Sequence, residues 1–392
     1  WNFDVGSAND TDSIQLIAAT GEVNEIRHLV SNRDLQIFTA SNELFVPTFL
    51  GNAITPTNAQ LRKQTPYGCE WIRPESLDGA TIFVQKNGAI VREYIFTDGE
   101  DSYTSSSISS ISSHLIKNPI EQTALRGAIN RNESYLFITN NDGTIAVFNS
   151  NRTEKRAGWV EFTTRGSFKS VVAIDDKVFC NIIIDTGAGT QKYILCEFKD
   201  TVNLDVAKTY TSTTGVFTVS SEFANGASVS VISNTNYYGD VVVAGGNADV
   251  SAVEAITTAE VGYKFDVTLK TNPLDIQSAN GPTTGMLRGL GRVILDLNST
   301  LSISVNGKQL NTDVGPVTGL PRAIGSVFLD LNSTLAVSVN NTALTIRQVT
   351  DDMSKIRTPV TGKREFRLLG YSSDPQVNIT QSEPLPIQVN GL

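Results

Sequence analysis

From Ser13 to about Asp200 the chain repeats one pattern: a short apolar or alternating run, a polar turn carrying Asn, Asp or Gly, and a second such run. Leu35-Gln36-Ile37-Phe38-Thr39 turns into Leu44-Phe45-Val46, and Ile82-Phe83-Val84 turns at Asn87-Gly88 into Ile90-Val91-Arg92. Tyr135–Ile138 turns at Asn141-Asp142-Gly143 into Ile145–Phe148, and Val171–Ile174 turns at Asp175-Asp176 into Val178–Ile184. Runs of this length read as strands, and Asn-Gly or Asp-Gly supplies the positive φ angles that tight hairpins need. The hairpin centres fall near residues 42, 87, 142 and 176, with gaps of 45, 55 and 34. That spacing predicts successive blades of a β-propeller, and a sandwich with long loops is the alternative.

The last of these hairpins continues through Gly187-Ala188-Gly189 into Tyr193–Phe198. Cys180 and Cys196 are equidistant from Ala188, so simple register sets them opposite each other, either as a cross-strand disulfide or as two packed thiols. The packed thiols are the expected state. Past Thr201 the composition changes: residues 206–270 are rich in Ser, Thr, Val and Ala and carry very few basic residues before Lys264. This segment predicts a small β-barrel or sandwich ended by the linker Thr271-Asn272-Pro273-Leu274. An internal repeat follows. Residues 290–307 match residues 324–341 at 12 of 18 positions, offset by 34. Alternation within each copy predicts strands, with Leu-Asn-Ser-Thr-Leu as the turn, hence two stacked or adjacent hairpins in one sheet. The expected organisation is therefore all-β: blades over 1–203, a small inserted domain over 204–274, and a C-terminal duplicated region over 275–392 that completes the propeller.

Composition supports this class and narrows the chemistry. The chain has 392 residues, 40% of them hydrophobic and 18% charged, which predicts several folded domains. Apolar runs are too short for a membrane-spanning helix. The chain opens on Trp1 with no signal-peptide pattern, so the expectation is a processed chain or part of a longer one whose N-terminal part is missing. Against 31 basic residues stand 40 acidic ones, for a net charge of −9. Such a chain grips nucleic acid poorly through its phosphates, which does not exclude a surface past which nucleic acid slides. The three cysteines predict reduced thiols after cytoplasmic synthesis rather than a disulfide framework.

Motifs that carry chemistry are weak. Asp185-Thr186-Gly187-Ala188 resembles an aspartic-protease loop, but that chemistry needs two apposed carboxylates, and Asp-Thr-Gly is ordinary at a hairpin tip. His28 and His114 are the only histidines, too few to predict a catalytic triad or a His/Cys metal site. His28 reads as a structural strand residue. The acidic groups at Asp98, Glu100 and Asp101 and at Asp10 and Asp12 lack the spacing of a calcium loop. Gly289-Leu290-Gly291 precedes a strand and so is no nucleotide loop. The expectation is no catalytic residue, no metal and no cofactor.

A resemblance enters at Val23–Pro74. Leu35, Phe38, Thr39 and Glu43, then Thr55-Pro56, Gln64, Tyr67-Gly68-Cys69 and Pro74, follow in the order seen in the nozzle protein of short-tailed bacteriophages, the tail tubular protein B family. Val91-Arg92-Glu93 leading to Asp101, Tyr103 and His114 also resembles that family, as do blocks at 158–174, 260–276 and 377–392. The duplicated stretch 281–341 departs from it. The resemblance implies a structural protein of the virion tail, assembled in the bacterial host cytoplasm as a six-fold ring below a tail adaptor protein. Such a ring continues and closes the DNA channel, passes genomic DNA without reading its sequence, and helps dock tail fibres near the host cell surface.

Two rival functions remain. A receptor- or carbohydrate-binding protein, a tail spike or adhesin, would stack ligands on exposed aromatics, for which Trp71, Trp159, Tyr237 and Tyr238 are the candidates; the same residues are the candidates for an interface. A propeller-fold hydrolase would assemble paired carboxylates from distant blades.

Overall fold

A computed structural model describes residues 9, 12–17, 21, 24–48, 53–128, 131–185, 191–199, 201–234 and 236–271 and, farther on, strand segments between 277 and 389. The chain divides into two compact units, residues 1–198 and 199–392. Almost every regular element is a strand.

The first unit contains four antiparallel sheets in succession. Sheet one is β1 (Ile26–Ser31), β2 (Leu35–Thr39), β3 (Glu43–Val46) and β4 (Arg62–Thr65). Sheet two is β5 (Glu75–Leu77), β6 (Ala80–Val84), β7 (Val91–Thr97) and β8 (Ser102–Ser107). Sheet three is β9 (Pro119–Leu125), β10 (Ser134–Asn140), β11 (Ile145–Asn151) and β12 (Arg156–Phe162). Sheet four is β13 (Ser167–Ile174), β14 (Lys177–Asp185) and β15 (Gln191–Phe198). Each is an up-and-down meander in chain order, the construction of a propeller blade. The four hairpins expected from the pattern form, with Leu35 opposite Val46, Val84 opposite Val91, Thr139 opposite Ile145 and Ile174 opposite Lys177. Gly143 at φ 88 and Asp175 at φ 53 supply the left-handed turn residues.

Consecutive sheets pack face to face. Between sheets one and two lie Phe38, Phe45, Phe83, Tyr94 and Tyr103; between sheets two and three lie Leu77, Ile82, Val91, Leu136, Ile138 and Phe148. Phe198 of sheet four meets Phe137 and Phe162 of sheet three. Inner strands are consequently covered on both faces, and all five residues of β6 are buried. Sheet four keeps the alternation of a half-covered sheet: Phe168, Val171, Cys180 and Ile182 are buried, whereas Val172, Ile174, Tyr193 and Leu195 are exposed.

Polar side chains cross each seam. Thr81 Oγ1 donates to Gln36 Oε1 at 2.6 Å between sheets one and two, both groups buried. The Asp78 carboxylate accepts Ser134 Oγ at 2.6 Å and Ser150 Oγ at 2.8 Å, joining the β5–β6 turn to sheet three. Gln122 Nε2 donates to the Ile82 carbonyl at 3.0 Å. Glu121 accepts the Val171 amide, and Thr123 Oγ1 accepts the Ala173 amide at 3.1 Å, joining sheets three and four.

In the second unit, β16 (Asp205–Thr211), β17 (Val216–Thr218), β18 (Ser228–Ser233), β19 (Asn236–Val242), β20 (Asn247–Asp249) and β21 (Thr258–Tyr263) form a small two-sheet body. Its sheets, ordered β16-β21-β18-β19 and β17-β20, share a core of Phe217, Phe223, Val229, Val231, Val250 and Val261. It is a sandwich, and no sheet of the described residues closes into a barrel. The body ends at Tyr263 rather than at the 271–274 linker. The next strand, Val267–Lys270, pairs with Asn378–Gln381 and so belongs to the C-terminal sheet.

The repeat forms hairpins in one sheet, Ser304–Val305 with Gly307–Gln309 and Phe328–Asn340 with Thr342–Thr345. Their turns lie beyond the Leu-Asn-Ser-Thr-Leu segments expected to make them. Ile294–Asn298 of the first copy runs parallel to Phe328–Asn340 of the second, Ile294 opposite Phe328 and Asp296 opposite Asp330. In the second copy Leu331-Asn332-Ser333-Thr334-Leu335 lies inside that one continuous strand and makes no turn. The segment contains neither Gly nor Pro to break the extended backbone, and parallel pairing at the 34-residue offset sets equivalent positions side by side.

The seam between sheets two and three gives a stability prediction. Leu136 is fully buried there, and Leu136→Ala leaves a cavity that costs about 2–5 kcal/mol. Urea unfolding followed by tryptophan fluorescence should show the lower midpoint.

Candidate functional site

Several of the positions that carry the sequence resemblance meet at the junction of sheets one and two. Segment 67–70 passes between these sheets and bonds to both. The Cys69 amide donates to the Thr39 carbonyl at 2.8 Å, the Glu70 amide to Val84 at 2.8 Å, and the Lys86 amide to Gly68 at 3.0 Å. Only glycine fits at position 68. Its φ is 72, and a Cβ would stand 2.4 Å from the Ala40 carbonyl oxygen.

Glu43 closes the clamp from β3. It is fully buried, and its Oε2 accepts the Thr65 hydroxyl and, at 3.4 Å, the Tyr67 amide. Burial pushes the Glu43 carboxyl above the ordinary carboxylate range, and the bonds from Thr65, Tyr67 and Gly68 and the Arg92 charge oppose that rise. The Arg92 guanidinium stacks 3.4 Å over the Tyr67 ring and donates through Nε to Gln85 Oε1 at 2.7 Å. Burial also raises the Cys69 thiol, which makes it a packed neutral group and a poor nucleophile.

An aromatic stack backs the clamp. Tyr94 and Tyr103 lie parallel with centroids 4.6 Å apart, and Phe45 meets Tyr103 edge-on at 5.0 Å. Tyr103 OH donates to Asp34 Oδ2 at 2.9 Å, and the Tyr103 amide donates to Gln64 Oε1 at 2.8 Å. Burial, aided by the bond to Asp34, pushes the Tyr103 phenol up to about 12. Phe38, Thr39, Glu43, Gln64, Tyr67, Gly68, Cys69, Arg92 and Tyr103 thus form one structural node. The other shared positions lie outside it: Thr55 organises its own turn with Asn58, Glu93 binds Arg152 at 2.6 Å, and His114 is exposed in a single 3-10 turn.

The four aromatic candidates are dispersed: Trp71 lies in the segment between β4 and β5, Trp159 in β12, and Tyr237 and Tyr238 in β19. Trp71 is 58% exposed, with the Arg27 guanidinium 5.4 Å from its ring centre and His28 at its edge. Trp159 on β12 packs on Phe148 at 4.9 Å and donates Nε1–H to the Ile108 carbonyl at 2.8 Å. Tyr237 is buried on β19 with its hydroxyl on Asp240 at 2.6 Å. Tyr238 donates to Glu254 at 3.0 Å. Of the four, Trp71 offers the broadest open ring.

His28 lies in β1 and donates Nε2–H to the Glu70 carbonyl at 3.2 Å; burial lowers its pKa from the usual imidazole value. Among the described residues no three His, Cys, Asp or Glu side chains gather as a metal-binding group. Asp98 is tied to Arg33 at 2.7 Å, and Asp185 ends β14 opposite Gln191. Residues 186–188 of the Asp-Thr-Gly-Ala motif, Asp10 and Gly289-Leu290-Gly291 lie outside the described residues. The Gln36–Thr81 and Asp34–Tyr103 bonds escaped the sequence reading; the one available signal is a polar residue within or beside the apolar run Leu35–Thr39.

Two outcomes test the clamp. Gly68→Ala forces both a left-handed alanine and a backbone contact, and should cost at least about 2 kcal/mol of unfolding free energy in a denaturant titration. Glu43 has a folded pKa above its unfolded value of about 4.3, so the folded chain keeps a proton that the unfolded chain has lost. Its contribution is full below the unfolded value and disappears as pH rises through the folded value. Glu43→Gln keeps an oxygen acceptor without that titration. Its thermal midpoint relative to the parent should therefore climb as pH rises above about 4. A flat difference would mean that Glu43 ionises normally. No family model matches the chain, and no curated protein matches it.

Proposed function

We propose that the chain is a structural subunit of a short phage tail, a nozzle ring below the tail adaptor that continues and closes the DNA channel and helps dock tail fibres. One observation carries this reading: nine of the residues on which the nozzle resemblance rests meet in a buried clamp between two blade-like sheets, with Glu43, Gly68 and Cys69 at its centre. Residues so placed hold a wall together. The net charge of −9 also suits a passage through which DNA slides without being held. Identical subunits in head-to-tail contact close into a ring when the rotation between neighbours divides a full turn.

Binding of a receptor glycan is the second reading, favoured by the open Trp71 ring beside Arg27 and His28, since sugar rings stack on exposed indoles. Mass photometry of the purified chain, followed by microscopy of the particles, separates the two. A closed six-fold ring whose channel-facing loops carry more Asp, Glu, Ser and Asn than Lys and Arg is the expected result. A lone subunit, a trimer, or a channel with a continuous basic lining would overturn it. Glycan binding that is abolished by Trp71→Ala would establish the second reading.

A further inference from the structure

The two cysteines of sheet four stand in a geometry that the clamp and the ring proposal leave unused. Cys180 on β14 is the direct partner of Cys196 on β15, and neither is in a disulfide. Direct partners on antiparallel strands share one face, with Cα atoms about 4.5–5.5 Å apart. That separation is inside the roughly 4.4–6.8 Å that a disulfide spans. The two differ in access: Cys180 is fully buried in the middle strand, and Cys196 is half-buried on the edge strand. Cys69, the third cysteine, is enclosed in the clamp of another sheet.

We propose that Cys180 and Cys196 form a dithiol modification site for small disulfides such as oxidised glutathione, and that oxidation staples β15 to β14. The Cys196 thiolate attacks one sulfur of the small disulfide; the S–S bond breaks, and one small thiolate leaves and takes up a proton. The Cys180 thiolate then attacks the Cys196 sulfur of the mixed disulfide and expels the second small thiol. Two protein thiols are oxidised to one disulfide, and one small disulfide is reduced to two thiols. The consequence is local. An edge strand held by hydrogen bonds on one side only becomes covalently tied, and its fraying is restrained. This site does not depend on the nozzle reading.

The test uses the full chain, held folded in oxidised glutathione, quenched with iodoacetamide, and read by intact mass and peptide mapping. The expected result is the loss of two hydrogens and one link joining the peptides of β14 and β15. Amide exchange across Gln191–Phe198 should slow on the order of tenfold or more. Cys180→Ser should instead retain one glutathione on Cys196. An unchanged mass, a persistent glutathione adduct on Cys196 of the parent chain, or a link to Cys69 overturns the proposal. Unchanged exchange in a linked chain overturns the stapling, and a Cys180→Ser chain without adduct overturns the order of attack.

Discussion

The interior of the first unit depends on sheets that are apolar on both faces and stacked against one another. A strand such as β6, with all five residues buried, gains from burial on each side but has no solvent to satisfy a polar group. A polar side chain in a seam therefore gains from a partner within the seam, although the Tyr94 hydroxyl has none among the described residues. Gln36 with Thr81, Asp34 with Tyr103 and Asp78 with Ser134 and Ser150 are so partnered. Apolar contact alone would let neighbouring sheets slide; these directional bonds select one alignment. The same gain explains why Glu43 lies where its carboxylate meets the Thr65 hydroxyl and the Tyr67 amide.

The clamp makes the family resemblance physically intelligible. Gly68 is required because a Cβ would collide with the Ala40 carbonyl, and the Cys69 and Glu70 amides each serve a different sheet. These are architectural demands, and they suit a protein whose proposed work is to form a wall. Trp71 follows this segment directly, so the clamp also sets the position of the most open indole among the aromatic candidates. A rigid support under an exposed ring fits an interface as well as a glycan site, which is why assembly state separates the two readings.

The repeat shows how like sequences behave in a sheet. Two copies with the same order of side chains can pair parallel at their own offset, as Ile294 does with Phe328. Asn-Ser-Thr was read as a turn because those residues favour turns. Their preference is weak without Gly or Pro, and the continuous pairing along Phe328–Asn340 outweighs it.

The sequence by itself determined the four central hairpins of the first unit. Period-two runs and Asn-Gly or Asp-Gly turns are local signals, and a hairpin is a local object. It also determined that Cys180 faces Cys196, since a single hairpin relates them. Tertiary structure decided which faces are covered. Gln36 lies between Leu35 and Ile37 in the apolar run, and only the second sheet, which covers it and bonds it through Thr81, decides that it is buried. Trp159 and Tyr237 read as open aromatics, until Phe148 and the Ile108 carbonyl engage one and Asp240 the other. Burial of a strand's second face depends on a sheet built from residues tens of positions away, and no local pattern encodes that distance.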